Sequence, residues 1–442
     1  MDELEGRRIA VIGMARSGLA AAEVLSSRGA AVTLYDGKPA ADLADALVFA
    51  RERGIPARPA TDCVEADVDL VVTSPGVRRS AAVLEDAQRR GIPIWGEIEA
   101  AYRIARAPIL AITGTNGKTT TTALLGDIVR AAGYRAFVAG NIAAGEIAMP
   151  LIRAADEAAE SDVIVAEISS FQLEWIDAFR PRVAAITNIT TDHADRQTWR
   201  EYVAAKWRLL ENQREPDTAV LRSDVPRPEG AAPPQARVVL FDRLVRPDWI
   251  DEIRLPGEHN RENVMAALAM ARAFGIGDEP IRSASLSFAG VVHRMEFVAD
   301  IDSVRWYNNS MCTNNDAFAR SLDALPGDKV VLAGGVFKGG DTGALARAAA
   351  ARSVKALVFF GKSAQLLGDE SRAAGANHVE VVDTMREAVD RASFLAGPND
   401  SVLLSPACAS FDQFRDFEDR GERFKAMVKA LSERLRPSET VR

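Results

Sequence analysis

A turn rich in glycine and hydroxyl side chains follows the apolar stretch Ile109–Thr113. Glycines let successive backbone N–H groups turn toward phosphate oxygens, a lysine there neutralises phosphate charge, and a threonine hydroxyl can hold Mg²⁺. The turn is shorter than the usual phosphate loop, because only two residues separate its glycines. A plain strand-to-helix turn would leave the lysine and threonine after the second glycine unexplained. The sequence therefore predicts a nucleotide-phosphate site at Gly114, Thr115, Asn116, Gly117, Lys118, Thr119 and Thr120.

Three ionisable residues after this turn could take part in phosphate chemistry. Glu167 ends an apolar run, His193 stands within Asp192–Arg196, and Lys206 lies in a helical stretch. Taken singly, each has a simpler interpretation. They are, in order, a strand-end carboxylate, a helix-capping or core histidine, and a surface lysine.

Amide and guanidinium groups further along the chain are equally ambiguous by themselves. Asn260 and Asn263 lie three positions apart near a predicted helix start and could cap that helix. Arg294 follows His293 and could reach a phosphate or form a surface ion pair.

A second glycine turn, Gly13–Gly18, follows the first predicted strand, and Asp36 ends the next one. This arrangement is typical of a nicotinamide-binding domain. However, Ala15 stands where a second glycine would let the backbone approach a pyrophosphate, so the fingerprint is incomplete. The later segment Ser74–Gly76 would by itself indicate only a turn.

Strand-like and Ala-rich helical stretches alternate in three series, which predicts an α/β protein with mostly parallel sheets. We expect a Rossmann-like domain over residues 1–105, a central P-loop-type ATPase domain over 106–291, and a second Rossmann-like domain over 292–442. The predicted strands are Arg8–Gly13, Ala31–Asp36, Leu70–Ser74, Ile92–Trp95, Ile109–Thr113, Val163–Ile168, Val183–Asn188, Val304–Asn308, Lys329–Ala333, Ala356–Phe360, His378–Val382 and Ser401–Leu404.

Composition limits the possible partners. The 442 residues carry a net charge of −8 without a basic patch, so we expect no nucleic-acid partner. Three scattered cysteines favour neither disulfides nor a zinc site and indicate a reducing compartment. The start of the chain is acidic, and no apolar run approaches the roughly 18 residues of a membrane span. We therefore expect a cytoplasmic monomer that does not bind membranes.

The short phosphate loop resembles that of the Mur ligase and folylpolyglutamate synthetase superfamily, and further segments resemble its glutamate-adding branch. The resemblance implies an ATP-dependent ligase that adds D-glutamate to UDP-N-acetylmuramoyl-L-alanine through an acyl phosphate, in peptidoglycan precursor synthesis. The alternative is a paralogue that adds L-glutamate or another acidic amino acid. The segments that carry the resemblance are Gly140–Ile142, Glu167–Glu174, Thr187–Ile189, Asp192–Arg196, Gly257–Asn260 with Asn263, His293–Arg294 and Leu404–Phe414.

The resemblance also implies roles for individual residues. It implies catalysis by Lys118, His193 and Lys206. Two Mg²⁺ ions would be held by Thr119, Glu167, His193 and Lys206, with Lys206 carbamylated by CO₂. ATP contacts would come from residues 114–120 and from Asn260, Asn263 and Arg294. The UDP-substrate would contact Arg16, Ser17, Asp36, Ser74, Pro75, Gly76 and Asn141, and glutamate would contact Thr313, Lys338, Ser410 and Phe411.

The sequence departs from the branch's usual pattern at four positions. Thr191 stands where an acid is usual before Asp192. Asn309 replaces an aspartate and Met311 a lysine, so the two lost charges cancel, and Phe337 replaces an aspartate. These changes either form a compensated pair or alter carboxylate recognition, which leaves the L-glutamate alternative open.

Two other classes of protein fit the sequence less well. A dehydrogenase would leave the phosphate loop unexplained. A non-catalytic binding protein of this fold would be expected to lose Lys118, Glu167 or Lys206, and all three are present.

Overall fold

The computed structural model describes residues 4–141, 149–190, 198–255, 257–313, 315–337, 341–376 and 378–435. Its strands form three sheets. The first two belong to one compact unit, Met1–Ile253 with His259–Phe288, and the third belongs to a second unit, Arg254–Glu258 with Ala289–Arg442. No helix within the described ranges is both long enough and apolar enough to cross a membrane.

The first sheet is fully parallel and has the strand order β3-β2-β1-β4-β5. The order reverses beside β1, and such a switch point leaves a crevice at the carboxyl ends of the strands. The elements are β1 (Arg8–Ile12), α1 (Arg16–Ser27), β2 (Ala31–Asp36), α2 (Ala44–Glu52), β3 (Ala57–Pro59), β4 (Leu70–Thr73), α3 (Ala82–Arg89), β5 (Ile94–Gly96) and α4 (Glu97–Ile104).

The second sheet is also parallel, in the order β11-β10-β9-β6-β8-β7. Its central strand β6 is buried at all five positions, as expected for a parallel strand covered by helices on both faces. The elements are β6 (Ile109–Thr113), α5 (Lys118–Ala131), β7 (Ala136–Gly140), α6 (Leu151–Glu157), β8 (Val163–Glu167), β9 (Val183–Ile186), α7 (Trp199–Trp207), β10 (Thr218–Leu221), β11 (Arg237–Leu240), α8 (Glu258–Phe274) and α9 (Asp278–Ser287).

The third sheet has the order β12-β13-β17-β14-β15-β16 and is parallel except for its antiparallel edge strand β12. Strands β13, β17 and β14 are neighbours, so the loops after them meet at one edge of the sheet. The elements are β12 (Glu296–Ile301), β13 (Val304–Asn308), α10 (Asn315–Asp323), β14 (Lys329–Gly334), α11 (Ala344–Ala350), β15 (Val354–Phe360), α12 (Ala364–Ala373), β16 (Val379–Val381), α13 (Met385–Leu395), β17 (Ser401–Ala407) and α14 (Phe417–Leu435).

The predicted α/β class with mostly parallel sheets is confirmed, and the domain boundaries near residues 105 and 291 stay predictions. Strand β12 was not predicted from the sequence; it pairs with β13 through a tight hairpin. Asp302 and Ser303 both have positive φ there, 51° and 65°, whereas the familiar signal for such a turn ends in glycine. Helix α8 begins at Glu258, before both Asn260 and Asn263, so the interpretation of these asparagines as helix caps is wrong.

Helix α4 attaches the first sheet to the second through a buried carboxylate, Glu99. Its oxygens accept hydrogen bonds from the backbone N–H groups of Asp177, Ala178 and Phe179 at 2.8–3.0 Å. Arg103, one turn along the helix, donates to Glu99 at 2.7 Å. Because Glu99 is completely buried, each of these bonds replaces a water that the carboxylate has lost.

A second carboxylate, Glu97, lies at the start of the same helix and contacts another part of the central sheet. Its Oε1 accepts from the backbone N–H of Ile152, at the start of α6, at 2.8 Å. Burial raises the pKa of Glu97 to about 7, although the hydrogen bond from Ile152 and the charge of Arg16 oppose this shift. The folded protein therefore holds a proton on Glu97 under mildly acidic conditions.

We predict that Glu97→Gln removes a pH dependence of stability. Above its ordinary pKa of 4.5, Glu97 in the unfolded chain is ionised, while the folded protein keeps the proton until about pH 7. Between pH 4.5 and about pH 7 the folded protein binds more protons than the unfolded chain. The free energy of unfolding therefore falls as the pH rises through this range. The amide still offers an oxygen to Ile152, so the variant should melt above the wild type at about pH 8 and near it at about pH 5.

The measurement is the thermal midpoint of both proteins at each pH. Glu65→Gln, which changes an exposed carboxylate, controls for the loss of one acidic residue. A difference in thermal midpoint of equal size at both pH values would contradict the raised pKa of Glu97.

Candidate active site

The turn after β6 has a shape that only glycine allows at two positions. A Cβ atom on Gly114 would lie 2.0 Å from Thr187 Oγ1, and one on Gly117 would lie 2.1 Å from Asn263 Oδ1. Gly117 also has φ of +79°, in the left-handed region. Helix α5 begins directly after it at Lys118, with Thr119 and Thr120 in its first turn. Backbone N–H groups at such a helix start favour a bound anion.

Residues that follow β9 hold this turn in place. Asn188 accepts from the backbone N–H groups of Thr115 and Asn116, each at 2.9 Å, through its carbonyl and side-chain oxygens respectively. Thr187 Oγ1 donates to the carbonyl of Asn116 at 2.7 Å. The hydroxyl of Thr115 bonds to the backbone of Thr190, donating to its carbonyl and accepting from its N–H. These hydrogen bonds fix the loop to the residues that follow β9 without the help of a ligand.

Two lysine ammonium groups converge on one carbonyl oxygen of the loop. Lys118 Nζ donates to the carbonyls of Gly114 and Thr115, each at 2.9 Å. Lys206 Nζ, from α7, donates to the same Gly114 carbonyl at 2.7 Å. Lys206 is only 2% exposed and lies over the ring of Tyr202, so its interpretation as a surface lysine is wrong. Two like charges on one acceptor repel, and a bound anion would reduce this repulsion.

A buried carboxylate faces the same region from the end of β8. Glu167 is 3% exposed, and its Oε1 accepts from Asn141 Nδ2 at 3.2 Å. Its Oε2 is buried and has no hydrogen-bond partner within the described residues. An anionic oxygen left in this state suits a hard divalent cation such as Mg²⁺. Glu167 and the buried hydroxyl residue Thr119 therefore fit a metal ion at this loop.

The two asparagines of α8 also reach the phosphate loop. Asn263 is 7% exposed, donates to Asn260 Oδ1 at 3.2 Å, and presents its own Oδ1 to Gly117. The predicted ATP contacts of the first unit, 114–120 with Asn260 and Asn263, thus lie together.

A cavity of about 490 Å³ opens at the carboxyl ends of the first sheet. It contains all of the residues predicted to contact the UDP-substrate in this unit, and it extends to the end of β7 in the second sheet. Those lining residues are Arg16, Ser17, Asp36, Ser74, Pro75, Gly76 and Asn141.

Asp36 supports the wall of this cavity by binding backbone. Its carboxylate accepts from the N–H groups of Met14 at 2.8 Å and Lys38 at 3.0 Å. Ser74 Oγ donates to the carbonyl of Gly13 at 3.3 Å, and a Cβ on Gly18 would lie 1.8 Å from that same oxygen. The turn is therefore tightly packed although Ala15 replaces a glycine.

The described glutamate contacts of the second unit lie near the carboxyl ends of two neighbouring strands. Thr313 follows β13, and Ser410 and Phe411 follow β17. Ser410 is 2% exposed, whereas Phe411 is 72% exposed. Arg294 belongs to the same unit, just before β12. His193 and Lys338 lie outside the described residues.

Two of the unusual residues in this unit are part of its interior. Asn309 is 6% exposed, accepts from the N–H of Met295 at 3.3 Å and donates to Ser405 Oγ at 3.5 Å. Phe337 packs against the apolar core. A neutral amide suits this buried position without an unpaired charge, which favours the compensated-pair interpretation of Asn309 and Met311.

Sequence reasoning missed the direct contact of Lys206 with the loop and the support given by Thr187, Asn188 and Tyr202. The Thr187–Ile189 segment is part of the resemblance. That it supports the phosphate loop follows only from the sheet order, which places β9 beside β6. Nothing in the local sequence signalled that Tyr202 OH lies 3.1 Å from Thr115 Oγ1.

Comparison with known proteins gives consistent matches along the chain. Residues 7–96 match the MurD-like N-terminal domain of Mur ligases, 112–245 the Mur ligase middle domain, and 293–408 the Mur ligase glutamate ligase domain. The chain is 42% identical to the UDP-N-acetylmuramoylalanine--D-glutamate ligase of Pelotomaculum thermopropionicum, covering 98% of this chain and 99% of the relative. It is 40% identical to the protein of the same name from Geobacter metallireducens, covering 98% and 100%.

Among solved structures, the fold is similar to that of the UDP-N-acetylmuramate-alanine ligase MurC from Thermotoga maritima. The TM-score is 0.55 at 19% identity, covering 96% of this chain and 99% of that one.

We predict that Gly117→Ala abolishes ATP binding while Gly133→Ala does not. Both glycines have positive φ, +79° and +90°, so an alanine at either costs about 1–2 kcal/mol of backbone strain. Only at Gly117 does the new methyl group meet another residue, since nothing lies within 4 Å of a Cβ on Gly133. Calorimetric titration with ATP and Mg²⁺ measures the difference, and equal affinity in the two variants would show that the close packing of the loop is dispensable.

Proposed function

The chain belongs to the Mur ligase family, and from that membership we propose that it joins D-glutamate to UDP-N-acetylmuramoyl-L-alanine at the expense of ATP. The observation that carries this proposal is the position of Asn141. It lines the cavity at the first sheet and also donates to Glu167 beside the phosphate loop. A UDP-linked substrate in the cavity would therefore have a path to the nucleotide site. We place the reaction in the cytoplasm, in the synthesis of peptidoglycan precursors.

The reaction has two steps. The alanine carboxylate of the UDP-substrate attacks the γ-phosphorus of ATP, which gives an acyl phosphate and ADP. The amine of glutamate then attacks the acyl carbon, forming the amide and releasing phosphate. Phosphoryl transfer depends mostly on positioning and charge neutralisation, which Lys118 and the backbone N–H groups at the start of α5 provide.

Glu167 and Thr119 would hold Mg²⁺, with His193 and Lys206 as further ligands, and bound Mg²⁺ would neutralise the crowded phosphate oxygens. Lys206 would serve as a ligand after reaction of its neutral amine with CO₂, which gives a carbamate and releases a proton. The change also removes the repulsion between Lys206 and Lys118 at the Gly114 carbonyl.

D-glutamate is preferred to L-glutamate as the incoming amino acid. The relatives compared above are named for D-glutamate. The L-glutamate alternative rested on Asn309, Met311 and Phe337, and two of these residues are accounted for by packing inside the second unit. Thr313, Lys338, Ser410 and Phe411 are the proposed contacts of the two glutamate carboxylates, and Arg294 is proposed to contact ATP.

We predict phosphate release with D-glutamate and no comparable release with L-glutamate. The assay contains UDP-N-acetylmuramoyl-L-alanine, ATP and Mg²⁺, with a panel of D- and L-amino acids added one at a time. Turnover with L-glutamate alone would reverse the stereochemistry, and absence of turnover with either would refute the proposed substrates.

We predict that Lys206→Ala is almost inactive and partly recovers when acetate or another short carboxylate is added. The added anion would replace the missing carbamate. Lys118→Ala is the control, because its missing group is a cation that a carboxylate cannot replace. As an independent readout, wild-type protein in ¹³C-labelled bicarbonate should show a carbamate resonance that the Lys206 variant lacks. A fully active Lys206 variant would eliminate this role.

A further inference from the structure

A completely buried arginine, Arg420, joins the two segments proposed to contact glutamate. Its Nε donates to Ser310 Oγ at 2.9 Å, and Nη2 donates to the Ser310 carbonyl at 2.8 Å. Its Nη1 donates to the carbonyl of Cys408 at 3.0 Å. Ser310 lies just after β13 and Cys408 just after β17, so one rigid guanidinium spans the ends of two adjacent strands.

The same turn of α14 is packed against the segment before β12. A Cβ on Gly421 would lie 2.2 Å from His293 Nδ1, and this nitrogen lies 3.0 Å from Asn308 Nδ2. Ser310 Oγ donates in turn to the carbonyl of Phe417 at 2.7 Å, at the start of the helix. Helix α14 therefore cannot shift without moving the segments after β13 and β17.

The charge of Arg420 is not balanced by an ion pair. Within the described residues no carboxylate lies at ion-pair distance from it, and its guanidinium donates to two main-chain carbonyls and one hydroxyl. Burial lowers the pKa of Arg420 to about 10, which still leaves it protonated at neutral pH. The charge of Asp412 also favours the protonated guanidinium, but the hydrogen bonds of this buried cation go to main-chain and hydroxyl oxygens, which therefore have to stay in place.

We propose that Arg420 is a positioning residue for the amino-acid site: it fixes the segments 308–313 and 405–411 at the spacing that binds the carboxylates of the incoming amino acid. This inference rests on the proposed function. Arg420 itself touches neither ATP nor the UDP-substrate in this account. Its loss should therefore act on the affinity for the amino acid and not on that for the other two substrates.

The test compares Arg420→Lys with Ser310→Ala and Lys329→Met. A lysine cannot make three bonds in the geometry of the guanidinium fork, so the KM for D-glutamate should rise about tenfold, the effect of one lost charged hydrogen bond. Ser310→Ala removes the hydroxyl that accepts from Arg420 and donates to the Phe417 carbonyl, but it leaves the Ser310 carbonyl bound to Arg420, so it should raise the same KM by a smaller factor. The KM values for ATP and for UDP-N-acetylmuramoyl-L-alanine should stay unchanged in both variants.

Lys329→Met is the matched control. Lys329 is also buried and donates to two carbonyls, of Gly327 and Arg352, but it begins β14 at the opposite end of the sheet. The Lys329→Met variant should have a lower thermal midpoint and an unchanged KM for D-glutamate.

Three outcomes separate the possibilities. If the glutamate KM rises equally in Lys329→Met and Arg420→Lys, Arg420 contributes only to general stability, and the inference is overturned. An unchanged glutamate KM in Arg420→Lys, or in Ser310→Ala when Arg420→Lys fails to fold, would overturn it alone. Absence of wild-type turnover with D-glutamate would overturn the proposed function together with it.

Discussion

The carbonyl oxygen of Gly114 is the point on which the candidate active site depends. It accepts hydrogen bonds from Lys118 and Lys206, which belong to different helices, at 2.9 and 2.7 Å. A side chain at Gly114 would force the loop to move, because its Cβ would lie 2.0 Å from Thr187 Oγ1. The parallel order of β9, β6 and β8 brings Thr187, the loop and Glu167 to the same edge of the sheet. A single backbone atom thus collects two positive charges at the proposed phosphate site.

The protein also satisfies several buried or partly buried charges with backbone groups. Glu99 binds three successive backbone N–H groups, Asp36 binds two, and Arg420 binds two carbonyls and a hydroxyl. A backbone partner cannot rotate away as a long side chain can, so each such contact fixes the path of a loop as well as satisfying a charge. All three loops lie beside proposed binding residues or join the first two sheets. The contacts of these charges therefore fix the conformation of the loops that carry their backbone partners.

The sequence was informative wherever a local pattern was enough. The bounds of β2, β6 and β13 were predicted as observed. The sequence was uninformative where the order of strands in a sheet decides which residues come close together. Short strands such as β10 and the hairpin strand β12 have no distinctive signal, and the burial of Lys206 depends on where α7 packs. The braces Thr187, Glu99 and Arg420 look like ordinary polar residues until their distant partners are known.

The attachment of α4 also bears on how the chain folds during synthesis. The first sheet is complete once β5 has left the ribosome, but α4 then still presents Ile98, Ala101 and Ile104, which are buried in the finished protein. Its two carboxylates meet their partners only after residues 152 and 177–179 have emerged. Sequence-distant contacts of this kind delay the burial of apolar surface. A nascent chain that stalls between these points would expose the apolar face of α4.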